Sequence, residues 1–171
     1  MRKLNIGCGN DIKKDYVNID FVKQPGIDVT HNLEKFPWPF SSNTFDEIYS
    51  SHFLEHVSDL QKTMQEITRI SKPKGRVVIR VPHFSCGVSY RDPTHKRLFS
   101  YFTFDYFTDE CWYVQPKFKI IKRRLNFTRQ SFTSLNKFVN PIININPGIY
   151  ERFLCWILPC AEVLCELEVI K

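Results

Sequence analysis

The chain is 171 residues long, 43% apolar and 25% charged, with a net charge of +6. That length predicts one domain with a sizeable core, and the balance of apolar and charged residues excludes a disordered chain. No run of 18 uncharged apolar residues occurs, and Met1-Arg2-Lys3 leads directly into a short apolar segment. A soluble, cytoplasmic protein without a membrane span or leader is therefore expected.

Lys3-Leu4-Asn5-Ile6 reads as a first strand, closed by Gly7-Cys8-Gly9-Asn10. Val17-Asn18-Ile19-Asp20 reads as a second strand, too soon afterwards for a crossover helix of ordinary length. Ile27-Asp28-Val29 is a very short third strand, and Pro37, Trp38 and Pro39 mark a rigid loop before a fourth strand over Asp46–Ser50. Leu60, Met64, Ile67 and Ile70 then recur at helical spacing, with Ser58 as the expected N-cap, Gln61 as its capping-box partner, and Pro73 and Gly75 as the stop. Val77–Val81 is a β-branched strand ended by Pro82.

The second half differs in texture. The polar run Arg91–Arg97 precedes an aromatic cluster from Phe99 to Phe107, expected either as a lid or pocket wall or as plain core or a dimer surface. Lys117–Phe127 predicts an antiparallel strand, Ile149–Leu158 a helix, and Val163–Ile170 a strand alternating with Glu162, Glu166 and Glu168. Between Cys111 and Tyr150 there are seven Lys or Arg and no acid. Such a stretch attracts nucleic-acid phosphates or else neutralises an acidic neighbour. The six cysteines lack metal-ligand spacing and are expected as reduced, apolar residues. No metal site is expected.

These elements predict an α/β fold: a Rossmann-like, mostly parallel sheet flanked by helices, with a shortened first helix and an antiparallel C-terminal strand pair. It forms a single domain over residues 1–171, with 3–83 as the cofactor-binding half and 84–171 carrying the substrate side. In such sheets ligands bind beyond the carboxyl ends of the strands. Gly7-Cys8-Gly9, Asp20, the segment after Val29 and Ser50-Ser51-His52 all belong to that edge. Glycines let the backbone approach a ligand, and an Asp at the next strand end can accept hydrogen bonds from a ribose diol. The third glycine of a dinucleotide loop is absent and Ile12 stands in its place, so a nucleoside without a pyrophosphate is the better ligand.

Leu4-Asn5-Ile6-Gly7-Cys8-Gly9, Val17–Asp20, Phe45–Ile48, Leu54-Glu55-His56-Val57 and Lys72–Gly75 resemble, in order and spacing, the small type 11 domains of the class I S-adenosylmethionine-dependent methyltransferases. The resemblance covers residues 3–83 and departs where the family's acid is Asn5 and its third glycine is Asp11. It implies S-adenosylmethionine as cofactor. Gly7, Cys8 and Gly9 would run under the methionine portion, with Asn5 where that motif usually has its acid, and Asp20 would hold the ribose. Asn32 and Leu33 would meet the adenine, and Ser50, Ser51 and His52 would line the fourth strand end. The catalytic expectation is His83 or His95 as general base, oriented by Asp92, while His56 is expected as a packed residue. The acceptor is expected to be a small molecule or a sugar or lipid headgroup. RNA and a non-catalytic binding subunit are the alternatives, in a monomer or homodimer.

Overall fold

The computed structural model describes all 171 residues. Seven strands form one sheet: β1 Lys3–Ile6, β2 Val17–Asp20, β3 Val29–Thr30, β4 Phe45–Ser51, β5 Ser71–Pro82, β6 Phe118–Asn126 and β7 Glu162–Val169. Their spatial order is β3-β2-β1-β4-β5-β7-β6. The first five run parallel, and β7 inserts antiparallel to both β5 and β6. Chain order reverses direction at β1, where β1–β2–β3 grow one way and β4–β5 the other. That switch leaves a crevice at the carboxyl ends of β1 and β4. The core lies on the sheet: Leu4, Ile6, Ile19, Ile48, Ile79 and Val81 are inaccessible to solvent and pack with Met64, Ile67 and Ile70 of helix α1, Leu60–Ile70.

The short link between β1 and β2 is made by turns alone; the shortened first helix expected there is absent, because the link is too short to hold one. Asn5 and Asn18, both buried, organise it. Asn5 Nδ2 donates to the Asp11 carbonyl at 2.7 Å and to Asn18 Oδ1 at 3.0 Å, and Asn18 Oδ1 also accepts from the Lys13 amide. Asn5 is thus spent inside the fold, holding the glycine loop against β2.

Two expectations shift by a residue or more. The N-cap of α1 is Asp59, whose Oδ1 accepts from the Lys62 amide at 2.9 Å, while the Ser58 amide is drawn off to Glu34 Oε1. Pro73 and Gly75 do end the helix, but β5 begins at once at Ser71, and the pair instead marks a register shift against β4. The aromatic run divides: Phe99, Phe104 and Phe107 are buried in the core, whereas Phe102 and Tyr106 are exposed, and His83 pairs with Phe99 in an isolated bridge.

The basic stretch finds acids across the sheet edge. Lys119 stands opposite Glu168 and Lys122 opposite Glu166 on the β6–β7 ladder, and Arg123 Nη1 lies 2.6 Å from Asp105. Of the seven basic residues along 111–150, Arg123 and Arg129 have an acid within 4 Å, while Glu166 is bonded to Arg76 of β5. All six cysteines are free thiols, five of them buried. Beyond β6 lie helix α2, Asn136–Ile143, and a helical run over residues 147–154. No helix is long and apolar enough to cross a membrane.

Candidate functional site

A cavity of ≈ 590 Å³ opens at the carboxyl edge, within the range of small-molecule sites. The glycine loop, the end of β2, the segment 32–34 and the turn after β4 form its walls, and Thr94 and Lys96 close it from the polar run.

Both loop glycines adopt backbone conformations that side chains resist, with φ +60° at Gly7 and +48° at Gly9. They do different work. A Cβ on Gly7 would fall 2.5 Å from the Phe53 ring, so Gly7 exists to let Phe53 pack over the loop. A Cβ on Gly9 would meet nothing within 4 Å. Gly9 faces open space, a cradle suited to a ligand passing close to backbone. Cys8 is buried beneath, and burial together with the charge of Asp20 pushes its thiol up to about 11, so it is a packing residue and not a thiolate.

Asp20 is turned into the glycine corner. Its Oδ2 accepts from the Gly9 amide at 2.8 Å and its Oδ1 from the Phe21 and Val22 amides at 2.8 and 3.3 Å. A carboxylate has about four acceptor positions. Three are taken by backbone, so Asp20 ties the loop to β2 and retains room for roughly one further hydrogen bond. The carboxamide of Gln24 stands beside it, donating to the Gly9 carbonyl at 2.6 Å.

Asn32 and Leu33 line the opposite wall as expected. Asn32 Oδ1 accepts from the Glu34 amide, which leaves its amide hydrogens for a ligand. Leu33 is fixed through its carbonyl by the Trp38 indole at 3.0 Å. Trp38 is itself gripped by α1: its amide donates to Glu66 Oε1 at 2.6 Å, and Arg69 bridges Glu66 and the Trp38 carbonyl. This wall belongs mechanically to the helix.

At the end of β4, His52 lines the cavity, whereas Ser50 and Ser51 stay behind it with buried hydroxyls that have no partner. His52 has φ +54° and stands between two buried acids, Nδ1 at 3.2 Å from Glu55 and Nε2 at 3.4 Å from Glu162. Burial alone would disfavour its charge, but the two carboxylates outweigh that and hold its pKa above the usual range.

The three expected catalytic residues separate. His83 is fully buried, with Nδ1 2.8 Å from Ser85 Oγ and Nε2 3.0 Å from Glu151, and it does not line the cavity. Asp92 and His95 do not line the cavity either, although Thr94 and Lys96 between and beside them do, because the 92–97 segment packs on the turn at 55–58 through the Lys96 amide and the Glu55 carbonyl. His95 stacks edge-on to His56 with ring centroids 4.8 Å apart, and Asp92 Oδ2 is 3.8 Å from His95 Nε2. His56, expected as packing, lines the cavity. Phe53 was not singled out either, although an aromatic two residues past a strand end is a signal of the right kind.

Residues 8–79 match the family model described as a methyltransferase domain. No curated protein matches the chain. Among solved structures it is similar to the YcgJ protein of Bacillus subtilis (16% identity, TM-score 0.61, covering 99% of this chain and 92% of that one). It is also similar to a SAM-dependent methyltransferase from Archaeoglobus fulgidus (17%, TM-score 0.64, 98% and 85%). A third is the [4+2]-cyclase SpnF (14%, TM-score 0.63, 99% and 74%). At such identities these likenesses establish the fold.

Proposed function

We propose that this chain, a class I S-adenosylmethionine-dependent methyltransferase, passes the methyl group to a small molecule or a sugar or lipid headgroup admitted at the edge formed by His52, His56 and Thr94. The cofactor is S-adenosylmethionine, and the residues present fit it. Gly9 leaves the space a Cβ would fill, Asp20 holds an acceptor position at the wall, and Asn32 offers unspent amide hydrogens. When bound, it supplies a methyl group already activated for in-line displacement, so alignment carries most of the rate.

The chain's own residues divide the work. Asp20 accepts from a sugar hydroxyl while keeping the loop closed on β2. Asn32 and the Leu33 segment meet the base, and the Phe53 ring over Gly7 excludes water from the corner. On the acceptor side stand His52 and His56 at the cavity wall, with His95 packed against His56 and Asp92 beside His95. His83 serves the core, linking Ser85 to Glu151.

The observation that carries this reading is the cavity itself, with Gly9, Asp20 and Asn32 on facing walls. The basic stretch lends less to an RNA acceptor, since Lys119 and Lys122 stand opposite acids of β7 and Arg123 is paired with Asp105. The test is a melting curve with S-adenosylhomocysteine. Ligand at about 100 times its dissociation constant stabilises a protein by about 2.7 kcal/mol. For this chain length that is roughly 5–10 °C. Asp20→Ala should abolish the shift. A saturating shift with NAD in place of the nucleoside, or no shift with either, overturns the reading.

A further inference from the structure

At the mouth of the cavity lies a second constellation that the cofactor does not use. Glu55 is completely buried, yet neither carboxylate oxygen has a hydrogen-bond donor. His52 Nδ1 lies 3.2 Å from Oε1 as a charge neighbour without the alignment of a hydrogen bond. One ring nitrogen each from His56 and His95 joins a Glu55 oxygen, all within 4.8 Å of one another. A buried carboxylate left without hydrogen bonds is costly; the neighbouring His52 ring, whose charged form Glu55 and Glu162 favour, offsets that cost without occupying the lone pairs of Glu55.

The surrounding hydrogen bonds fix which nitrogens are free. Thr94 Oγ1 donates its single hydrogen to Asp92 Oδ1 at 2.7 Å. It must therefore accept at its 2.9 Å contact with His56, which places the hydrogen on Nδ1 and leaves Nε2 with its lone pair. His95 Nδ1 faces the Ser89 carbonyl oxygen at 3.2 Å, and a carbonyl can only accept. Nδ1 thus carries the hydrogen of the neutral ring, and Nε2, 4.0 Å from Glu55 Oε1, presents its lone pair. His95 Nε2, a ring nitrogen of His56 and a Glu55 oxygen are thus gathered at one point, with the His52 ring also 3.2 Å from that carboxylate. Each histidine is also held from behind by an acceptor on its other nitrogen, as metal-binding histidines are.

We propose that Glu55, His56 and His95 bind a divalent transition metal ion of the zinc type. Two imidazoles and a carboxylate suit zinc and its late first-row neighbours, whereas calcium and magnesium prefer oxygen throughout. Bonds of about 2.0–2.2 Å bring tetrahedral ligands to on the order of 3.4 Å from one another, so the three side chains close inward on binding. His56 also lines the cofactor cavity, so the ion stands at its rim, where a fourth ligand could be drawn from the acceptor. This inference does not depend on the methyltransferase reading.

The test uses the full chain, stripped with a chelator and titrated with Zn2+ by calorimetry and with Co2+ by visible absorption. One equivalent should bind, with Co2+ giving the intense bands of low-symmetry four-coordination. Glu55→Gln and His95→Gln should each weaken binding at least 100-fold, while His31→Gln, at a half-buried histidine outside the cluster, should leave it unchanged. Circular dichroism establishes that each variant is folded, and the wild-type Co2+ spectrum stands even if one variant is not. Absence of a stoichiometric site in the wild type, or affinity unchanged in both folded variants, overturns the proposal.

Discussion

Gly7 and Gly9 show how one short motif contains two different constraints. Both need a left-handed backbone, but only Gly7 is also walled in, by the Phe53 ring at 2.5 Å from where a methyl would stand. Gly7→Ala should therefore destabilise the protein by about 1–3 kcal/mol through strain and overpacking, read as a lower urea midpoint. The sequence disclosed the glycines and Asp20 because both obey local rules: permissive backbone and an acid at a strand end. It could not disclose that Asp20 spends three acceptor positions on backbone amides, since those contacts depend on the turn's shape. Nor could it separate His56, at the cavity, from His83, in the core. Each is a histidine near a strand end, and only the packing of the 92–97 and 147–154 segments distinguishes them.

Among the elements, the strands were legible from alternation and β-branching, and their parallel order followed from spacing and turn residues. Boundaries were less so. Ser58 and Asp59 are both good caps by residue type, and the choice falls to Asp59 because Glu34 and Lys96, both distant in sequence, engage Ser58. Asp59→Ala should cost about 1 kcal/mol in a denaturant melt, the usual loss of an N-cap. The basic strand was also ambiguous alone. Lys119 and Lys122 on β6 acquire their meaning from Glu168 and Glu166 on β7, more than forty residues later. Charge patterns on one strand cannot be interpreted until its neighbour is known.

For the whole molecule, the group that joins most elements is Glu162, fully buried at the start of β7. It accepts from Arg80 of β5 at 2.5 Å and from Asn126 of β6 at 2.8 Å, and it faces His52 at the end of β4. Burial alone would raise its pKa. Hydrogen bonds from His52 and Arg80 outweigh that and hold it at about 2, against an ordinary 4.5. A depressed carboxylate stabilises the fold above its unfolded pKa and loses that contribution as pH falls towards its folded one. Stability should hence decline between about pH 4.5 and 2, by about 3 kcal/mol from this group when fully protonated. Urea melts across that interval check it, and Glu162→Gln should flatten the decline while lowering stability at neutral pH.

The clamp on Trp38 bears on how a nucleoside would enter. Indole, amide and carbonyl of this one residue are engaged with Leu33, Glu66 and Arg69. The wall formed by Asn32 and Leu33, which we assign to the base, thus arrives already shaped, and docking against it surrenders little configurational freedom from the polypeptide. Selectivity for the base is then a matter of rigid fit, and substitutions on the far face of α1, beyond any ligand's reach, can alter affinity by loosening that fit.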